Sequence, residues 1–246
     1  MAIISVQELD KNYEANGLSI PALRRVSLTV ERGEFIAIAG PSGSGKTTLL
    51  NIIGGLDNPS SGNIDVAGRD LTTMNPRELS DMRLNNIGFI FQAYNLIPVL
   101  TALENVEYIL LLQGVEKEER RSRSRRILEE VGLKAEIHRP PRELSGGQQQ
   151  RVAVARAIVS EPELVLADEP TANLDQKTGA NLLDLMHELN HSKNITFVFS
   201  THDQMVMERA ERLVSLYDGT IASDVKKKTT PRKRVPSRTR TTGRKK

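Results

Sequence analysis

A glycine-rich octapeptide, Gly40 to Thr47, constrains the fold of this chain more than any other segment. It reads GPSGSGKT and fits the pattern G-x-x-x-x-G-K-[ST], in which glycines let backbone N–H groups close around phosphate oxygens. The mostly apolar run 34–39 before it suits a buried strand, and residues 48–53 after it suit the start of a helix. The segment therefore predicts the strand, phosphate loop and helix of an α/β fold.

The residues of this loop have expected parts in nucleotide binding. Lys46 is expected at the β- and γ-phosphates, and the Thr47 hydroxyl is expected on Mg²⁺. The alternative is a glycine turn that joins two elements and binds nothing. The predicted ATP-binding residues here are Gly40, Pro41, Ser42, Gly43, Ser44, Gly45, Lys46, Thr47 and Thr48.

A second motif, LSGGQ at residues 144–148, opens a segment that is typical of a helix. Ser145 and Gln148 have the spacing of a capping box, which by itself is a structural feature. Gly146 and Gly147 each cost a first helical turn about 0.5 to 1 kcal/mol relative to alanine, which is reasonable where something must approach the backbone closely. The free N–H groups of a helix N-terminus also suit an anion.

In this order the two motifs resemble those of ABC ATPases, over about residues 2–222. The resemblance implies a P-loop NTPase (RecA-like) core with a small antiparallel β-subdomain and an inserted α-helical subdomain at about residues 93–160. It also implies a head-to-tail dimer in which Ser145, Gly146, Gly147 and Gln148 of one subunit complete the ATP site of the other. One copy of each motif therefore predicts a second ATPase subunit, and complete motifs favour another copy of this chain.

Two adjacent carboxylates follow a further buried-strand pattern at residues 164–167. Asp168 is expected at the carboxyl end of a parallel strand, where α/β sheets bind ligands. It resembles the Walker B aspartate, which holds Mg²⁺. Glu169 resembles the family's catalytic glutamate, the general base for the attacking water. The alternative is a pair of solvated surface acids.

The remaining family motifs are matched by their order along the chain. Gln92 resembles the glutamine that reaches Mg²⁺ or the water, and His202 resembles the switch histidine that hydrogen-bonds the γ-phosphate. Asp175 resembles the D-loop aspartate at the dimer interface, although Asn173 replaces a serine or alanine common there. Tyr13 resembles the aromatic residue that stacks on adenine; a plain strand tyrosine is the alternative. The predicted catalytic residues are thus Glu169, His202, Gln92 and Lys46, and the predicted Mg²⁺ ligands are Thr47, Gln92 and Asp168.

The sequence also contains a zinc-binding motif, which would indicate a different function. Residues 187–191 read HELNH, the H-E-x-x-H pattern of zinc peptidases, and Glu211 follows where a third ligand could lie. A helix over about residues 177–190 would point its apolar stripe away from both histidines. That stripe comprises Leu182, Leu185, Met186 and Leu189. We therefore predict solvated histidines without a cleft, His191 at a fraying helix end, and no zinc peptidase.

The charge is divided unevenly along the chain. Residues 226–246 hold eleven Lys and Arg and no acid, so residues 1–225 carry 23 basic against 31 acidic side chains. The sequence predicts an ATPase domain over 1–225 and a disordered basic tail over 226–246. Anionic lipid headgroups are a candidate partner of the tail, nucleic acid is a less favoured one, and a merely solubilising tail is the alternative.

Neither end of the chain predicts membrane insertion. No apolar run approaches the roughly 18 to 20 residues that span a bilayer, and the N-terminus lacks the pattern of a signal peptide. The absence of cysteine excludes disulfides and fits the cytosol. We expect a soluble subunit on the cytoplasmic face of the inner membrane, attached through polytopic permease partners.

Two function classes are compatible with these motifs. Residues 93–106 resemble the segment that receives a coupling helix of the membrane subunit in lipoprotein-release and macrolide-export transporters. This favours an ATPase subunit that drives a lipoprotein, peptide or drug exporter, or a complex that transmits force. The alternative is a non-transport ABC ATPase acting on DNA or ribosomes. The long coiled coil or the second ATPase domain of such relatives has no counterpart in this sequence.

Overall fold

The computed structural model describes residues 1–15 and 17–227, which form two β-sheets surrounded by α-helices. The strands are β1 (Ala2–Ala15), β2 (Leu18–Glu31), β3 (Phe35–Ala39), β4 (Ser61–Val66), β5 (Arg69–Asp70), β6 (Ile87–Ile90), β7 (Leu164–Asp168), β8 (Thr196–Thr201), β9 (Arg212–Tyr217) and β10 (Thr220–Lys226). The helices are α1 (Lys46–Ile53), α2 (Pro76–Asn86), α3 (Ala102–Leu112), α4 (Lys117–Glu130), α5 (Gly146–Ile158), α6 (Gln176–Lys193) and α7 (Gln204–Arg209).

The larger sheet has the strand order β10-β9-β3-β8-β7-β6. Its inner pairs are parallel, and only β10 runs antiparallel to its neighbour β9. All residues of β3 and β8 are buried, which explains why these strands read as continuous apolar runs rather than as alternating patterns. The predicted α/β class with a parallel sheet is confirmed.

The smaller sheet is antiparallel, with the order β2-β1-β4-β5. Along β2, Val26, Leu28 and Val30 are buried and alternate with exposed residues, because one face of this sheet packs on the core. These side chains share one apolar cluster with Ile36 and Ile38 of β3, so the two sheets enclose a common core. This sheet is the predicted antiparallel β-subdomain.

Between β6 and β7 the chain is helical and forms no strand from residue 91 to residue 163. Helix α3 begins with a capping box between Thr101 and Glu104, and it packs on α4 and α5 through buried side chains such as Val106 and Leu128. The subdomain bounds of about 93–160 remain a prediction. Among residues 1–15 and 17–227, no helix is both long and apolar enough to cross a membrane.

Two element ends differ from the sequence-based expectations. Helix α6 continues to Lys193 and ends where Asn194 adopts φ +54°, so His191 lies within a formed helical turn instead of a fraying end. Lys226 is the last residue of β10, and its ammonium pairs with Glu34 at 2.6 Å. The predicted tail therefore starts inside a strand, and its remainder, 228–246, lies outside the described residues.

Candidate functional site

The carboxyl ends of three adjacent strands bring the predicted site residues together. The phosphate loop follows β3, Asp168 ends β7, and His202 follows β8, which lies between them in the sheet. Because these strands are parallel, their carboxyl ends meet at one edge of the sheet, the edge where α/β folds bind ligands. The sheet order thus assembles residues that are up to 162 positions apart, from Gly40 to His202.

The phosphate loop is closed around its own lysine. Lys46, the first residue of α1, is buried and donates to the carbonyl oxygens of Gly40 and Pro41 at 2.8 and 2.9 Å. Gly45 has φ +98°, and a Cβ there would lie 2.5 Å from the Ala22 carbonyl oxygen, so a side chain is excluded. The buried Ser44 hydroxyl has no hydrogen-bond partner among the residues described. This loop therefore presents a lysine and an unpartnered hydroxyl suited to phosphate oxygens.

Two oxygen-bearing side chains meet beside the loop. The Thr47 hydroxyl lies 3.3 Å from each carboxylate oxygen of Asp168, across 121 positions of sequence. Hydroxyl and carboxylate oxygens are the ligand types that Mg²⁺ takes in proteins. The donor set therefore fits the predicted metal, with Thr47 and Asp168 adjacent and Gln92 exposed in the segment after β6.

Glu169 is held in one orientation by the end of β8. Its backbone adopts φ +46°, a strained conformation for a residue with a side chain, and its N–H donates to the Ser200 carbonyl at 2.9 Å. Its carboxylate accepts from the Thr201 hydroxyl at 3.1 Å and from the His202 N–H at 3.2 Å. Nδ1 of His202 lies 2.6 Å from the same carboxylate. The Glu169 side chain is 14% exposed and the His202 side chain is 70% exposed. Glu169 is therefore held within the fold, while the ring of His202 faces solvent.

Sequence reasoning missed the residues that hold this pair. Thr201 donates to Glu169 and accepts from the Asp203 N–H at 3.0 Å, while the Thr171 hydroxyl donates to the Asp203 carboxylate at 2.7 Å. The available signal was the run of four polar residues at 200–203, which begins within the last two residues of the buried strand β8. Sequence reasoning also did not predict the structural role of Asn173. Its side-chain amide donates to the Gln92 carbonyl at 2.8 Å and so joins the segments that follow β6 and β7.

The signature segment forms the predicted capped helix start. The Gln148 N–H donates to the Ser145 hydroxyl at 3.3 Å, and the Ser145 N–H donates to the Gln148 side chain at 2.9 Å. A Cβ on Gly147 would lie 2.5 Å from Cγ2 of Thr178, and one on Gly146 would lie 3.0 Å from the Tyr94 hydroxyl. The group that approaches Gly147 closely is therefore the first turn of α6.

Asp175 lies close to the signature, because Thr178, which bonds Asp175, also packs against Gly147. Asp175 caps α6 by accepting from the Thr178 N–H at 3.0 Å and from its hydroxyl at 2.6 Å. The hydroxyl bond holds the pKa of the Asp175 carboxyl below its usual value. Over residues 1–15 and 17–227, no hydrogen bond joins residues 144–148 to residues 40–47. The two predicted halves of an ATP site are therefore not hydrogen-bonded to each other within the described part of one chain.

Tyr13 lies in β1, and two neighbouring side chains hold its ring and its hydroxyl in place. Its hydroxyl donates to the Asp57 carboxylate at 2.7 Å, and the Lys11 ammonium lies 4.8 Å from the ring centroid. The residue is 40% exposed, so part of the ring is open to a ligand. Burial, followed by the bond to Asp57, raises the pKa of this phenol.

The expectation for the two helix histidines is wrong in part. His191 is exposed, but His187 is only 26% exposed, and its ring packs edge-on against Phe35 at 5.1 Å. The side chains of His187, His191 and Glu211 converge, with ligand atoms within 4.8 Å of one another. Leu182, Met186 and Leu189 of the predicted stripe are buried, but Leu185 is only partly buried, and the buried face of α6 also includes Leu183 and Asn190. The buried face therefore extends toward His187, and the residues before β9 cover that flank of the helix.

A model of the family described as ABC transporter matches residues 23–172 of this chain. The lipoprotein-releasing system ATP-binding protein LolD of Legionella pneumophila (strain Paris) is 44% identical over 219 residues, which cover 89% of this chain and 96% of that protein. The macrolide export ATP-binding/permease protein MacB of Hyphomonas neptunium is 44% identical over 90% of this chain, but the match covers 34% of that longer protein.

Among solved structures, the fold matches the ATP-binding cassette MJ0796, a dimer in a post-hydrolysis state bound to ADP and Pi. The TM-score is 0.85 and the identity is 42%, and the match covers 92% of this chain and all of that one. The resemblance to ABC ATPases of the lipoprotein-release and macrolide-export kind is confirmed, as is the P-loop NTPase fold.

Proposed function

Because this chain belongs to the ABC transporter family, we propose that its phosphate loop, Asp168 and Glu169 bind and hydrolyse ATP to drive membrane partner subunits. The observation that carries the proposal is the arrangement at the edge of the larger sheet. There the loop lysine, the Thr47–Asp168 pair and a fixed Glu169 carboxylate occupy the ends of adjacent parallel strands. This is the set of groups that phosphoryl transfer needs, because positioning and electrostatic stabilisation dominate its catalysis.

ATP binding rests on the loop and on Tyr13. Residues 40–48 surround the phosphates with backbone N–H groups, and Lys46 turns from its loop carbonyls to the β- and γ-phosphate oxygens. The exposed part of the Tyr13 ring stacks on the adenine, while Asp57 and Lys11 keep the ring in place.

Thr47 and Asp168 would hold Mg²⁺, with Gln92 as a further oxygen ligand. When bound, Mg²⁺ neutralises the negative charge that gathers on the β- and γ-phosphates. The Thr47 hydroxyl and the Asp168 carboxylate are already adjacent, so little reorganisation of the protein is needed at this point.

Glu169 acts as general base on the water that attacks the γ-phosphate. Three donors, the Thr201 hydroxyl and the two N–H groups of His202, fix the carboxylate and leave its remaining lone pairs for the water. Because the Glu169 carboxylate and a γ-phosphate oxygen both only accept hydrogen bonds, His202 donates to Glu169 through Nδ1 and to the γ-phosphate through Nε2 when both ring nitrogens carry a proton. The exposed position of the ring suits that contact.

Hydrolysis also requires a second subunit, in our proposal another copy of this chain. Ser145 and Gly147 of the facing subunit, with Gly146, Gln148 and Asp175 beside them, cover the γ-phosphate. The dimeric state of MJ0796 supports this arrangement. Within the described residues no hydrogen bond joins the signature to the phosphate loop of the same chain, which is consistent with this arrangement.

The membrane partners are polytopic permease subunits of an exporter, and the chain works at the cytoplasmic face of the membrane. The printed names of the relatives, a lipoprotein-releasing system and a macrolide exporter, support transport rather than action on DNA or ribosomes.

Substitution of the general base tests this proposal. The Glu169→Gln variant keeps the size of the side chain and one acceptor oxygen for the N–H groups of His202, but its amide nitrogen cannot accept from Thr201 and the side chain cannot take up a proton from water. We expect it to bind Mg·ATP, to hydrolyse ATP at least about a hundredfold more slowly, and to accumulate as a dimer. Phosphate release and light scattering after size exclusion measure the two effects.

Glu188→Gln is the matched control, because Glu188 is exposed on α6 and takes no part in the site. It should hydrolyse ATP at the rate of the unaltered chain. Normal turnover by Glu169→Gln would remove Glu169 from the mechanism. A slow variant that stays monomeric with ATP would instead count against the dimer.

The membrane partner is tested by a separate experiment, in which tagged Glu169→Gln is purified from native membranes with Mg·ATP. A polytopic membrane protein that co-purifies with it would be identified as the permease.

A further inference from the structure

Three metal-binding side chains converge outside the nucleotide site, where the last turns of α6 meet the residue before β9. Nε2 of His187 lies 3.3 Å from Nε2 of His191 and 3.3 Å from Oε1 of Glu211. Nε2 of His191 lies 3.8 Å from the same carboxylate oxygen. We propose that these three side chains bind one divalent cation of the zinc class and that this cation clips α6 to the start of β9.

The separations are those of a metal triangle. A tetrahedral Zn²⁺ ion with bonds of about 2.0 to 2.1 Å places its ligand atoms about 3.3 to 3.4 Å apart. Two sides of the triangle already have this length, and the third is closed by a small rotation of the exposed His191 ring. The fourth tetrahedral position points to solvent and takes water.

The electrostatics of the cluster also call for a cation. Each neutral imidazole carries one ring N–H and one lone pair, and a carboxylate only accepts hydrogen bonds. With both Nε2 atoms and Oε1 directed at one point, no placement of the ring protons of two neutral imidazoles satisfies all three contacts, because one pair of facing lone pairs or facing N–H groups always remains. A divalent cation satisfies all three at once and offsets the negative charge of Glu211.

The cluster is built into the fold rather than lying loosely on it. The i, i+4 spacing puts both histidines on one face of α6, and Phe35 packs against the His187 ring at 5.1 Å. The Glu211 N–H donates to the Phe35 carbonyl at 2.8 Å, and the Glu211 carbonyl accepts from the Lys227 N–H at 2.7 Å. Two of the three ligands are therefore fixed against the first residue of β3, the strand that leads into the phosphate loop.

The proposed role of the cation is structural. Glu188, the glutamate of the HELNH motif, is exposed, and the site lies on the outer flank of α6. The cation joins α6, whose first residue follows Asp175, to the segment between α7 and β9. The clip lies at the amino ends of β3 and β9, opposite the edge of the sheet that carries the predicted ATP site, so the cation stabilises the fold without taking part in the chemistry.

Zinc titration of the full chain, stripped of metal beforehand, tests the proposal. His191→Ala removes an exposed ligand, and His138→Ala removes an exposed histidine far along the chain as the matched control. Calorimetry should show a zinc site in the unaltered chain and in His138→Ala, and at least about tenfold weaker binding in His191→Ala. Zinc should raise the Tm of the unaltered chain and of His138→Ala by several degrees, but not that of His191→Ala, because a ligand that binds only the folded state stabilises it.

A second variant distinguishes the loss of a metal ligand from local misfolding. Glu211→Gln keeps the shape of the side chain and should weaken zinc binding while the metal-free Tm stays near that of the unaltered chain. Cobalt bound to the unaltered chain should give a tetrahedral absorption spectrum that both ligand variants lose. Equal zinc affinity in His191→Ala and the unaltered chain would overturn the proposal, as would the absence of a zinc-dependent Tm shift in His138→Ala.

Discussion

At the scale of single residues, Gly147 shows how one position serves two constraints. It lies in the capped first turn of α5, where alanine would favour the helix by about 0.5 to 1 kcal/mol. It also faces Thr178 of α6, whose Cγ2 would lie 2.5 Å from an added Cβ. Overpacking of this kind costs about 1 to 3 kcal/mol, so the packing term decides the residue.

Gly147→Ala is therefore expected to lower the free energy of unfolding by about 1 kcal/mol, the difference between the packing cost and the helix gain. Adding Thr178→Ser removes Cγ2 but keeps the hydroxyl that bonds Asp175. The double variant should regain most of the loss in a denaturant titration, and Thr178→Ser alone completes the cycle. An equal loss in the single and the double variant would show that Thr178 is not the cause.

At the scale of elements, α5 fixes the segment that follows β6. Tyr94 and Asn95 both have positive φ, 59° and 49°, a strained pair for residues with side chains. Arg156 holds them by donating to the Tyr94 carbonyl at 2.8 Å and to the Asn95 carbonyl. Burial lowers the pKa of Arg156, but a guanidinium stays charged in proteins, so both bonds are charge-assisted. The helix that begins at the signature thus also anchors the segment that carries Gln92.

Arg156→Lys tests this anchor, because a single ammonium cannot span both carbonyls in the way the planar guanidinium does. We expect the amides of residues 93–96 to exchange hydrogen about tenfold faster, since one charged hydrogen bond of about 1.5 kcal/mol is lost. Amides of β8 serve as the internal control and should be unchanged. Unaltered protection at 93–96 would mean that the segment holds its strained conformation without Arg156.

At the scale of the whole molecule, one cationic side chain ties the two sheets together. Arg212, at the start of β9, donates to the Thr29 carbonyl of β2 at 2.8 Å and pairs with Glu34 and Asp224 at 2.8 and 2.6 Å. Hydrogen bonds from Arg212 hold the pKa of the Asp224 carboxyl below its usual value. The backbone N–H of Thr101, followed by its hydroxyl, has the same effect on Glu104 at the start of α3.

These depressed pKa values predict an acid-labile fold. A carboxylate whose pKa is lower in the folded than in the unfolded state adds stability above its unfolded pKa, about 3.9 for Asp and 4.3 for Glu. That stability is lost as the pH falls through the folded pKa. Urea titrations should therefore show a nearly constant unfolding free energy from pH 7 to about pH 5 and a fall below that.

Asp224→Asn should lower the stability at pH 7 and flatten the acid limb of this curve, because the carboxylate that Arg212 stabilises is gone. Asp81→Asn, the same change at an exposed site on α2, should leave both features in place. Parallel curves for Asp224→Asn and the unaltered chain would assign the acid sensitivity to other carboxylates, such as Glu104.

The sequence by itself determined the features that contiguous residues encode. The strand, loop and helix at 35–53, the capped helix after Ser145 and the buried strand ending at Asp168 follow from local periodicity, caps and glycine spacing, and the structure has all three. The order of these motifs also identified the family and the fold, and both are confirmed. The individual site residues stay predictions, since their roles need a bound nucleotide.

The tertiary structure decided which distant side chains meet. Thr178 lies against Gly147, Thr201 fixes Glu169, and Glu211 completes a cluster with His187, a residue expected to be solvated. Such contacts depend on strand order and helix packing, because the pattern of one helix gives the direction of a side chain but not the element that covers it. The sequence could therefore place the histidines away from the predicted apolar stripe, but only the packing of the residues before β9 against α6 brings the Glu211 carboxylate to 3.3 Å from His187.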